Sequence, residues 1–171
     1  MALWGITDAD EAKPKWLTTA QKKEVFANNS GWVVEAGSTQ TGNDNTDAQP
    51  EVLCCVGDLA TGIGAADITE IEFITTAFDK SDGGNIDVRV RFNEAVTVNT
   101  SGGTPTLTIT NDTPSRNLTA TYLSGSTTNE LIFRKTIAAA NAATNAGDVL
   151  TIAANAMALA SGTIKDTADG T

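Results

Sequence analysis

The chain has 171 residues with a formal charge of −10, 40% hydrophobic residues, 5% aromatics and no histidine. Without histidine, every Ser-His-Asp or Cys-His arrangement is excluded, along with most transition-metal catalysis. No cluster of Lys or Arg could neutralise a phosphate backbone, and a net acidic surface is repelled by anionic membranes, so neither nucleic acid nor membrane is expected as a partner.

Only 19% of residues are charged, and Thr, Asn, Gly and Ala take their place, a composition of strands and turns. The expected fold class is mainly β: an immunoglobulin-like β-sandwich preceded by a small α+β N-terminal region of arm, short helix and β-hairpin. Domain boundaries are expected at residues 1–66 and 67–171, each part carrying a charge of −5.

In chain order, the opening MALWGITDADEAKPKW is an arm rich in large aromatic surface. Trp4 and Trp16 are candidate anchors for a neighbouring subunit. Pro14, between Lys13 and Lys15, would stiffen an extended segment lying along a partner. Thr18 with Gln21 three residues on predicts a capping box, with a helix over 19–27 that the Asn28-Asn29-Ser30-Gly31 run ends. Gly31 to Ala36 and Glu51 to Gly57 predict two strands, paired as a long-looped hairpin around the polar stretch 37–50. Cys54 and Cys55 are adjacent, hence on opposite faces of a strand and too strained to bridge each other. They are expected as buried free thiols, which suits assembly in a reducing cytoplasm. No signal peptide is expected from the first residues, and no apolar run is long enough for a membrane-spanning helix.

From Ile68 onward, short alternating runs recur between turn signals. Strands are expected at 68–76, 85–92, 96–98, 106–110, 118–123, 129–137, 149–153 and near Ile164, with a helical turn possible in the Ala-rich stretch 138–148. In the second, Ile86, Val88, Val90 and Phe92 should face inward and Asp87, Arg89 and Arg91 outward. The acidic runs at Asp79–Asp82 and Asp166–Asp169 are read as turns whose Asp side chains bond their own backbone, not as calcium cages. No catalytic, cofactor or metal residue is assigned.

The runs VRVRFNEAVTVNTSGGTPTLTITN, ATYLSGSTTNELIFRKTIAA and AGDVLTIAANAMALASGTIKDTADG resemble, in order, a family of bacterial and phage immunoglobulin-like repeats. MALWGITDADEAKPKWLTTAQKKEVFANNSGW is similar to the N-termini of virion proteins from marine cyanophages. The resemblance implies a non-enzymatic virion structural protein, a capsid decoration protein above all. Its partners would be the major capsid protein or other virion proteins and itself, on the outer surface of a particle assembled in the host cytoplasm. A tail or neck protein and a glycan-binding adhesion module are the alternatives. The chain departs from the repeats at one point: Thr171 follows directly on a turn after which the repeats have another strand. An uncharged strand, Thr106–Thr110 or Val149–Ala153, is therefore expected as an open edge paired by an adjacent subunit, with the N-terminal arm as donor.

Overall fold

In the computed structural model, residues 13–42, 44–139 and 144–171 are described. Thr18 caps α1 (Thr19–Lys22) as a capping box: the Gln21 amide donates to Thr18 Oγ1 at 3.3 Å, and the Thr18 amide donates to Gln21 Oε1 at 2.9 Å. The helix is one turn long rather than reaching Ala27. Val25 and Phe26 suit a strand better, and β1 (Val25–Asn28) pairs antiparallel with β2 (Gly31–Val34). The Asn28–Gly31 run is thus a hairpin turn, closed by Ser30 N–H donating to Asn28 Oδ1 at 2.8 Å. β2 in turn pairs antiparallel with β3 (Glu51–Cys55), the long-looped hairpin expected from the sequence. Gly31 is required at their crossing: its φ is +130°, and a Cβ there would lie 2.0 Å from the Cys54 carbonyl oxygen. A short helix, α2 (Leu59–Gly62), follows, and a small core forms from Val25, Ala27, Trp32, Val34, Leu59 and Ile63. Cys54 is only half-buried and Cys55 is exposed, which corrects the expectation of two buried thiols; β3 is the last strand of its sheet and has packing on one side only.

The second half holds β4 (Ile68–Phe73), β5 (Gly84–Asn99), β6 (Thr106–Asn111), β7 (Leu118–Ser124), β8 (Thr128–Ile137), β9 (Leu150–Thr151), β10 (Met157–Ala158) and β11 (Thr163–Asp166). The order is β10-β6-β7-β8-β5-β1-β2-β3, with β4 and β11 also on β5 and β9 on β6. The chain is mainly β, as its composition dictates, and the arrangement is consistent with a β-sandwich. Period-two alternation builds the larger core: Ile86, Val88, Val90 and Phe92 of β5 meet Leu107, Ile109, Leu131 and Phe133.

The stretches 85–92 and 96–98 are one strand rather than two. β5 pairs with β4 through residues 88–92 and with β11 through 96–99, and its register against β8 shifts between Arg91 and Val96. A bulge of this kind bends a strand without ending it. Thr106–Thr110 is not an open edge: β7 pairs with one side of β6, while β9 and β10 pair with the other. Val149–Ala153 contributes only Leu150 and Thr151 to a strand, already paired to Thr110 and Asn111. The Ala-rich turn includes residues 140–143, which lie outside the described residues.

Two glycines of the repeat-like runs meet in space. A Cβ on Gly103 would sit 1.8 Å from the Ala160 carbonyl oxygen, and one on Gly162 would sit 2.3 Å from that of Gly103. Backbone lies on backbone here, and only glycine permits it.

Candidate functional site

The arm divides on inspection. Pro14 is buried, with the Leu17 amide donating to its carbonyl at 3.2 Å. Beside it, Lys13 is also buried and donates from Nζ to the Lys22 carbonyl at 2.8 Å. Trp16, two residues from Pro14, is 58% exposed. Trp4 lies outside the described residues. Of the three sequence candidates, Trp16 alone is displayed on a described surface.

A cluster of charges missed by sequence reasoning joins the two halves. Arg91 is buried, not outward-facing: its guanidinium contacts Glu130, lies 3.3 Å from Glu70 and reaches Glu35 at 4.0 Å. Arg89 pairs with Glu72 and lies 3.5 Å from Glu130, and Lys23 pairs with Glu70. Glu35 and Lys23 come from the N-terminal part, the remainder from β4, β5 and β8. β1 also joins the edge of β5 through a parallel pairing of Ala27 with Glu94, which brings the N-terminal part beside these charges. Alternation marks Arg91 as off the sandwich core, but no local signal says that a second unit packs there.

Glu35 is the group this packing perturbs most. Burial, with the Glu130 carboxylate second, pushes its pKa up to about 7, against the hydrogen bond from Asn129 and the charge of Arg91. It opens onto a cleft of about 680 Å³ between the halves, which Phe26, Thr46, Pro50 and Glu130 also line. Four carboxylates are shared among three cations, so this seam acts as a clamp whose charge balance depends on one proton.

A second concavity of about 440 Å³ lies where β4, β5, β10 and β11 converge. Phe92, Val96, Met157 and Ile164 form its apolar wall, with Ile68 and Leu159 exposed at its rim. Asp166, 2% exposed, sits at one end; its Oδ1 accepts the Ala168 amide at 2.6 Å, while Oδ2 has no hydrogen-bond partner. The acidic runs do behave as turns: Ser81 N–H donates to Asp79 Oδ1, and Thr171 N–H to Asp169 Oδ1, each at 2.8 Å. Among the described residues no group of three or more Cys, Asp or Glu side chains could hold a metal ion, and no helix is long and apolar enough to cross a membrane.

No family model, curated protein or solved structure matches this chain.

Proposed function

We propose that the chain is a non-enzymatic virion structural protein, most specifically a capsid decoration protein that docks through its N-terminal part and holds the sandwich outward. The observation that carries this reading is Trp16, a large exposed ring on a unit that is clamped to the sandwich through Arg91 and its carboxylates. An exposed tryptophan on a braced support is the kind of residue that dominates binding interfaces, because it buries much area at little entropic cost. The resemblance of the first 32 residues to cyanophage virion proteins supports the same reading, and the seam charges are spent on one another. The mechanism is burial of apolar surface at subunit seams, repeated by symmetry so that weak contacts add.

The test is to purify particles from a culture that produces the protein, quantify the chain by mass spectrometry and locate it with gold-labelled antiserum. Many copies distributed over the capsid are expected. Label confined to the tail or neck would replace the capsid assignment, and absence from purified particles would overturn the reading.

A further inference from the structure

The sheet path ends on β3. Glu51–Cys55 is bonded to β2 along one side, and among the described residues no strand lies along the other. A row of unpaired N–H and C=O groups at such an edge is a template for another strand. Proteins blunt exposed edges with charge, proline, brevity or cover. Those devices operate elsewhere in this sheet. β4 carries Glu70 and Glu72, the open strands β9 and β10 are two residues long, and β6 is covered on both sides. β3 carries one such device, the exposed Glu51 at its first position, and none over the rest of its span. After Glu51, the run Val52-Leu53-Cys54-Cys55-Val56-Gly57 has no charge, and Val52 is 46% exposed. Both free thiols of the chain stand on this same strand, with Cys55 exposed and Cys54 half-buried.

We infer that β3 is a pairing edge for a second copy of this chain, joined antiparallel and edge to edge, with Cys54 of each copy brought across from the other. The choice of a second copy follows from the strand's fit to itself: each copy carries −10 and most of its surface repels another copy, but this run is uncharged after Glu51. A strand paired antiparallel with itself is two-fold symmetric. In the register centred on Cys54, Val52 faces the partner's Val56, Leu53 faces the partner's Cys55, and Cys54 faces the partner's Cys54. Glu51 falls opposite Gly57, so no like charges meet. A partner with a charged edge would gain nothing from this uncharged one.

Directly opposed residues on antiparallel strands have Cβ atoms about 4.5–5.5 Å apart, close to the separation a disulfide needs. An oxidant such as glutathione disulfide closes the bond: two thiols lose two protons and two electrons, one S–S bond forms between the copies, and the oxidant is reduced to two glutathione thiols. Two five-residue edges bury far less than the roughly 1,000 Å² of a stable interface, so pairing of reduced protein is weak unless other contacts reinforce it. The inference is independent of any place in a particle, since it concerns purified protein.

The experiment uses the full chain and two measurements. Reduced protein is followed by sedimentation velocity over a concentration series, expected to shift from monomer toward dimer at the highest concentrations. Native protein is then incubated with glutathione disulfide and analysed on non-reducing gels, with mass spectrometry of the linked peptides. A covalent dimer joined through residue 54 of each copy is expected, forming faster than in urea-unfolded chain. Val52→Lys, at an exposed position, should leave the melting temperature unchanged. It should slow the cross-link roughly tenfold, the factor that about 1.4 kcal/mol of lost pairing produces. Cross-linking no faster in native than in unfolded protein, or equally fast in V52K, overturns the inference, as does reduced protein that stays monomeric throughout.

Discussion

Asn129 donates from Nδ2 to Oε1 of Glu35 across 2.6 Å, linking residues 94 positions apart in sequence. That bond ties the end of β2 to the start of β8, beside the buried Arg91. The two halves thus share a polar seam as well as a strand pairing, and most of the testable consequences arise there.

The first is a pH dependence of unusual sign. Folding raises the pKa of Glu35 from 4.5 to about 7, so between those values the folded chain binds more protons than the unfolded one. Its stability therefore falls as pH rises through that window, the reverse of an ordinary salt-bridged carboxylate. A shift of this size is worth at most about 3 kcal/mol, less where water screens the site. Asp87, held low chiefly by its hydrogen bond from Arg134, loses its contribution only as pH falls through its depressed folded value, below this window. Melting temperature should drop from pH 5 to pH 8, and Glu35→Gln should flatten the profile and raise stability at pH 8. A Glu35→Gln profile parallel to that of the parent would refute this account.

Arg91→Ala should be far more damaging than Lys23→Ala. Removing a buried guanidinium leaves Glu70, Glu130 and Glu35 facing one another, at a cost of about 3–5 kcal/mol. Lys23, half-exposed, holds an ion pair that solvent screens, so its loss should change stability little. Urea unfolding of both variants measures the contrast, and equal effects would contradict it.

Trp16 and Trp32 should separate function from folding. Trp32 is fully buried in the smaller core, so Trp32→Ala should cost about 3–5 kcal/mol. Trp16→Ala should leave the melting curve within about 0.5 kcal/mol, as exposed substitutions do, yet reduce occupancy on particles. Unchanged occupancy would remove Trp16 from the docking surface.

Metal should matter little. Asp79 and Asp169 hold their own turns, so EDTA should move the melting temperature by no more than a degree or two. A large calcium-dependent rise, such as mass action gives for a tight native-state ligand, would show a cage formed by other residues.

Much of the fold is legible in local sequence because its causes are local. The Thr18–Gln21 capping box, the Gly31 and Glu51 strands, and the inward set Ile86, Val88, Val90 and Phe92 follow from hydrogen-bonding side chains and period-two alternation. These act within a few residues. The length of α1 was misjudged because propensity is a weak prior: Val25 and Phe26 join a strand once β2 is there to pair with them.

What only the tertiary structure decided involves residues distant in sequence. Alternation reports that Arg91 points away from one core, and it is silent on whether that face meets water or another unit. The pairing of β1 with β5 brought Glu35 to Arg91, among the carboxylates that β4 and β8 already supply, and burial there raised its pKa. The same is true of Gly103 and Gly162, whose backbones touch across 59 residues, and of β6, whose uncharged edge is covered by short strands arriving from later in the chain. Hydrophobic period encodes which face of a strand is apolar; which neighbour covers the other face depends on the closure of long loops, and short windows of sequence carry no record of that.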